Sequence, residues 1–223
     1  MFQAQILTLF PEFFDAPLAC SIPARAIRAG IVQVDCLNIR DFTTDKHRKV
    51  DDSPYGGGPG MVMKPEPAVA AIREARRRHP ETHVVMLSPS GELFRQERAR
   101  NYAALPGLTL LCGRYEGFDE RIADYVDERL SLGNYVLSGG EPAAICVLDA
   151  IIRLLPGALG DAQSAKQDSF SNADEELDWP QYTRPEAFEN KHVPEVLLSG
   201  DHARTAAWRR QQAELRSRRH RRA

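Results

Sequence analysis

No stretch of this sequence approaches the roughly twenty consecutive apolar residues that span a bilayer. The start, MFQAQILTLFPEFF, lacks the basic region and small-residue cleavage site of a secretory signal. The expectation is a soluble, unprocessed protein of the cytoplasm. Only four cysteines occur, Cys20, Cys36, Cys112 and Cys146, and no two form a C-x-x-C pair. With no histidine at zinc-ligand spacing beside them, they read as reduced, buried thiols rather than a metal or disulfide framework. There is no G-x-x-x-x-G-K-[ST] phosphate loop, because Lys64 follows Met63 and not a glycine, and no G-x-G-x-x-G opens the first strand-helix unit. The LSPSG string from Leu87 to Gly91 does not match the G-x-S-x-G nucleophile elbow, so serine hydrolase chemistry has no support. Internal repeats and heptads are also missing.

What is present is 223 residues, 43% hydrophobic, enough for one substantial core and a smaller appended domain. Strand-like runs at Gln3–Leu9, Val32–Asn38, His83–Leu87 and Leu108–Cys112 alternate with helical patterns. The helices are expected over Pro65–His79, stopped by Pro80, over Glu92–Leu105, and over Glu141–Leu155, where Ile145, Leu148, Ile152 and Leu155 share a face. Such alternation predicts an α/β fold with a largely parallel sheet. That domain is expected to occupy 1–159. The polar, acidic stretch 160–178 reads as a linker, and 179–223 as a small C-terminal domain containing a basic helix over Ala203–Glu214. The formal charge of −2 is unevenly spread: Arg204–Ala223 carries eight arginines against the single Glu214, a net of +7. A basic tail on an acidic body fits a polyanion such as RNA, or a solvated solubility tail.

Three segments concentrate glycine: Asp51–Met63 (DDSPYGGGPGMVM), Cys112–Asp119 (CGRYEGFD) and Leu132–Glu141 (LGNYVLSGGE). Any one of them alone is an ordinary tight turn. Glycine also permits close approach of backbone to a ligand, and two of these segments follow strand-like runs, which points to a pocket at strand ends.

The strings TLFPEFF, RDFTTDKHRKVDDSPYGGGPGMVM, LSPSG, LLCGRYEGFDER, LGNYVLSGGE, RLLPG, DSF and YTRP, in this order, resemble the bacterial tRNA (guanine-N1)-methyltransferases. Asn134 and Ser138 depart from that pattern, standing where it has Asp and Thr. The resemblance implies a parallel-sheet methyltransferase domain of the SPOUT superfamily with a deep trefoil knot, a small, mainly helical C-terminal domain, and an obligate homodimer. It implies that S-adenosylmethionine is held by Leu87, Ser88 and Pro89, by Gly113, Arg114, Tyr115 and Glu116, and by Leu132, Gly133, Asn134, Tyr135, Val136, Leu137, Gly139 and Gly140. Magnesium dependence and a tRNA partner come with it. Periodicity carries no sign of the knot, and the general rule runs against one.

The reaction implied is methyl transfer to N1 of the guanosine at tRNA position 37, next to the anticodon. N1 is protonated at neutral pH, so a base must remove its proton, and a cation near O6 would stabilise the charge that grows there. By resemblance the base is Asp168, in DSF, and the cation Arg153, in RLLPG. Without the resemblance, Asp168 reads as a solvated linker carboxylate and Arg153 as the i,i+4 partner of Asp149. Glu116 is a candidate to face guanine or metal. Tyr115, Tyr135, Phe170 and Trp179 are candidates to stack on a base flipped from the anticodon loop.

Overall fold

A computed structural model describes residues 1–160, 168–171 and 176–220. The chain divides into two compact units, Met1–Gly160 and Asp161–Ala223. In the first, β1 (Phe2–Thr8) is buried along almost its whole length, as a strand covered on both faces is, although Gln3, Gln5 and Thr8 are polar. After it come a short helix α1 (Asp15–Leu18), α2 (Ser21–Arg28) and β2 (Val32–Asn38). A minimal antiparallel pair, β3 (Asp51–Asp52) with β4 (Val62–Met63), closes the glycine-rich segment between them. The unit continues with α3 (Pro65–Arg78), β5 (His83–Leu93), α4 (Gln96–Ala103), β6 (Gly107–Leu111), β7 (Glu128–Ser131) and α5 (Glu141–Ile152).

The five long strands form one sheet in the order β2-β1-β6-β5-β7, every pairing parallel. The period of two splits the strand residues between two cores. Val85 and Leu87 join Ile6, Leu110, Leu148 and Ile151 on one face. Val84 and Met86 join Leu7, Leu111, Ala71 and Ile72 on the other. Residues of α2, α4 and α5 cover the first face, and α3 covers the second. The α/β fold with a parallel sheet is thus as the alternation predicts.

Several element limits differ from expectation. β5 runs on to Leu93, because Glu92 and Leu93 pair with Leu130 and Ser131, so the helix expected from Glu92 begins at Gln96. The sheet takes these two residues from the helix that their local pattern favours. On α5 the buried face is Ala143, Ala144, Val147, Leu148, Ile151 and Ile152. Ile145 is only partly buried, and Cys146 points outward. Cys20 is also exposed and Cys36 half-buried, so the expectation of uniformly buried thiols is corrected: Cys112 alone is fully enclosed. Among the described residues no helix is long and apolar enough to cross a membrane.

In the second unit, residues 161–167 and 172–175 of the expected linker lie outside the described residues. The remainder contains the strand pair β8 (Ala187–Phe188) and β9 (Lys191–His192), then α6 (Glu195–Leu198) and α7 (His202–His220). α7 is the expected basic helix, extended by more than a turn. Three of its arginines are engaged within the unit. Arg216 donates to the Asp178 carbonyl at 3.1 Å, Arg218 pairs with Glu214, and Arg209 lies 4.9 Å from the centre of the Trp179 ring.

Candidate active site

The carboxyl ends of β5, β6 and β7 open into three loops that enclose one cleft. In β5 the pairing with β7 breaks after Leu87 and resumes at Glu92, so Ser88–Gly91 loops out of the sheet. Ser88 Oγ accepts the Ser90 N–H at 3.3 Å and sits 2.9 Å from Ser90 Oγ. Gly91 lies against the neighbouring strand: a Cβ there would come within 2.3 Å of the Leu130 nitrogen.

After β6 the chain turns through left-handed backbone at Tyr115 (φ 59°) and Gly117 (φ 100°). This loop is anchored to the end of the first glycine-rich segment. The Glu116 N–H donates to Met61 O at 2.9 Å, the Met63 N–H to Gly117 O at 2.8 Å, and the Asp119 N–H to Met63 O at 3.0 Å. Behind it, Gly60 leaves room for the Glu116 carboxylate, which a Cβ would meet at 2.5 Å.

The loop after β7 packs on the loop after β6. The Gly140 N–H donates to Gly113 O at 2.9 Å, and a Cβ on Gly140 would fall 2.7 Å from Cys112 Cα. The cleft so formed has a volume of about 430 Å³, within the usual range for small-molecule sites. Of the residues assigned to cofactor binding by resemblance, every one but Asn134 lines it. Gly117, Phe118, Asp119, Arg129 and Ser138 line it as well. Four large side chains with apolar surface are exposed around it, Tyr115, Tyr135, Val136 and Leu137, with Val136 at 89%.

One wall contains a buried charge pair that sequence reasoning missed. Glu141, at the first turn of α5, is fully enclosed. Its Oε1 accepts the Thr8 hydroxyl at 2.7 Å, and its Oε2 lies 2.9 Å from Arg114 Nε, ion-paired but out of line for a hydrogen bond. Arg114 also donates to Ser138 O at 3.3 Å, and its guanidinium lies 4.4 Å from the centre of the Phe10 ring. Burial, with Glu141 nearby, pushes the Cys112 thiol well above its ordinary value, so it stays protonated and inert. In the sequence Glu141 looks like any first-turn helix acid. The available signal was that Thr8, Arg114 and Glu141 all fall inside the three strings TLFPEFF, CGRYEGFD and LGNYVLSGGE.

The two residues assigned to chemistry lie outside the lining of this cleft. Arg153 caps the C-terminus of α5, half-buried, with its N–H on Asp149 O at 3.2 Å. Asp168 belongs to the second unit and opens the turn Asp168–Ser171, in which the Ser171 N–H donates to Asp168 O at 3.2 Å. Ser169 donates to Asp178 at 2.9 Å, and the Phe170 ring lies 6.1 Å from that of His220. Trp179 and Tyr182 line a separate cavity within the second unit, and Tyr182 packs beside Trp208.

A five-stranded parallel sheet with a ligand-sized cleft among glycine loops at its strand ends defines an α/β protein built to hold a small molecule. The family model described as "tRNA (Guanine-1)-methyltransferase TrmD" matches residues 2–223, and the chain belongs to that family. A tRNA (guanine-N(1)-)-methyltransferase of Ralstonia nicotianae is 54% identical over 217 residues, covering 96% of this chain and 82% of the relative. One from Anaeromyxobacter dehalogenans is 53% identical over 220 residues, covering 99% and 89%. Another, from Syntrophotalea carbinolica, is 51% identical over 212 residues, covering 95% and 85%.

Proposed function

We propose that this methyltransferase acts in the cytoplasm, moving the methyl group of S-adenosylmethionine to N1 of the guanosine at tRNA position 37. The observation that carries the reading is the closure of the loops after β5, β6 and β7 on one cleft in a chain of this family; two of them are the glycine-rich segments at Cys112–Asp119 and Leu132–Glu141, whereas Asp51–Met63, expected beside them, does not line it. The residues present fit the cofactor. Glycines at 113, 139 and 140 bring backbone to the cleft without side chains, and Tyr115, Tyr135, Val136 and Leu137 supply apolar surface. S-adenosylmethionine, when bound, supplies an electrophilic sulfonium methyl.

The chain's own residues do the rest. Asp168 removes the N1 proton, a contribution of about 10²–10⁴-fold for a positioned general base. Arg153 stabilises the negative charge that develops on O6. Glu116, tethered by its N–H to Met61, faces the guanine. We assign 1–159 to cofactor binding, 160–178 to the linker that delivers Asp168, and 179–223 to gripping tRNA, supported by the arginines of α7. The loops thread a trefoil knot, a reading supported by the close packing of the loop after β7 on the loop after β6, where the Gly140 N–H donates to Gly113 O. Two subunits form the enzyme, with Asp168 and Arg153 of one serving the cleft of the other. Among the described residues no group of three or more His, Cys, Asp or Glu side chains is placed to hold a metal ion.

The test is to incubate purified protein with bulk tRNA and S-adenosylmethionine, then map methylated nucleosides by mass. N1-methylguanosine at position 37 is expected. Methylation confined to another base or position overturns the reading.

A further inference from the structure

Three segments distant in sequence meet beneath the cleft: the end of β1, the loop after β6 and the start of α5. Their side chains meet through the pair of Arg114 and Glu141. Arg114 lies flat on Gly139, whose Cβ would fall 2.3 Å from Nε, and bonds to Ser138 O. Its Nε faces Glu141, fully buried, whose second oxygen is occupied by Thr8. The Thr8 hydroxyl in turn accepts the Phe10 N–H at 2.9 Å. A buried carboxylate is costly to keep charged unless it is paired and hydrogen-bonded, and removing one partner strands the other. The arrangement therefore fixes the spacing between the loop that contributes Tyr115 and Glu116 and the loop that contributes Tyr135 to Leu137.

We propose that Glu141 is a positioning residue for the cofactor cleft, acting through Arg114 as a strut that holds the loops after β6 and β7 at the separation S-adenosylmethionine requires. The proposal rests on the reading of the cleft as the site of that cofactor. Glu141 lies behind the wall and touches no substrate. Arg114 both lines the cleft and braces it.

Coupling within such a network typically corresponds to about a tenfold change in affinity. Glu141→Gln, which keeps the shape and removes the charge, is expected to raise the calorimetric Kd for S-adenosylmethionine and its KM by about tenfold. The single-turnover rate at saturating cofactor and the KM for tRNA should stay within about twofold of wild type. A second variant, Glu141→Gln with Arg114→Gln, removes the stranded guanidinium. Its melting midpoint should recover above that of the single variant while cofactor affinity stays weak, because both the strut and the Arg114 side chain of the cleft wall are missing. Should the single variant fail to fold, Thr8→Val, which removes the hydroxyl bonded to Glu141 and leaves Arg114 in place, carries the test: cofactor affinity is expected to fall with the KM for tRNA unchanged, and unchanged cofactor affinity overturns the proposal. Unchanged cofactor affinity in Glu141→Gln, or affinity that recovers together with the midpoint in the double variant, overturns the proposal. A wild-type protein that binds no S-adenosylmethionine overturns the underlying reading of the cleft instead, and is distinguishable because it precedes any substitution.

Discussion

Asp168 stands at the head of a turn whose next residues are tied to Asp178 and α7. Asp168→Asn keeps the size of the side chain. We expect single-turnover methyl transfer to fall by roughly 10²–10⁴-fold while binding of cofactor and tRNA changes little. A wild-type single-turnover rate would remove Asp168 from the role of base. Gly140→Val has a different expected outcome: with Cys112 Cα 2.7 Å from the new Cβ, the valine has no room. Addition of S-adenosylmethionine should then no longer raise the melting midpoint, whereas it should for wild type. The glycines were legible in the sequence, but not the reasons for them. Gly56, Gly57 and Gly58 have open space and positive φ, so conformation selects them; Gly91, Gly139 and Gly140 are selected by contact. Glu141 was illegible for the same reason that it matters, since its enclosure depends on Thr8 and Arg114, which reach it from 133 residues away in one case and from another loop in the other.

At the level of elements, the strongly periodic segments were readable because their burial repeats with the secondary structure: α3 starts at its expected Pro65, and β2 occupies Val32–Asn38 as anticipated. The far end of β5 was not readable, because its partner β7 lies about forty residues ahead and is too short and charged to announce itself. β7 begins where Asp127 accepts the Val84 N–H at 2.7 Å and the Arg76 guanidinium at 2.9 Å, joining β5, β7 and α3. Burial raises the Asp127 pKa, but the Val84 N–H, Arg76 and His83 outweigh it and hold the carboxyl below its ordinary value. A depressed folded-state pKa gives stability that is present above the unfolded value and is lost as pH falls through the folded one. Asp127→Asn should therefore lower the melting midpoint at pH 7, and the gap from wild type should close as pH drops below about 4. A gap that persists unchanged at low pH would show that the carboxylate charge is not what Asp127 contributes. Leu148→Ala, in the fully packed face of α5, should cost about 2–5 kcal/mol in denaturant unfolding.

For the molecule as a whole, the basic helix gives a salt-dependent prediction. Each arginine of α7 that meets a phosphate should contribute roughly −0.9 to the log–log slope of tRNA affinity against salt. Replacing Arg204, Arg210 and Arg219 by alanine should flatten that slope, with Arg216 left in place because it holds Asp178. An unaltered slope would assign those residues to solubility. The parallel sheet has a further consequence, for synthesis rather than catalysis. β1 lies between β2 and β6, with Gln3 opposite both Gln33 and Gly107. At a ribosomal rate of about 5–20 residues per second, β6 emerges roughly 5–20 s after β1. Once β2 has emerged and until β6 follows, the nascent β1–β2 pair exposes an unpaired strand edge, the kind of surface on which chains aggregate. A ribosome stalled before Leu111 would hold a chain that cannot yet close its central sheet.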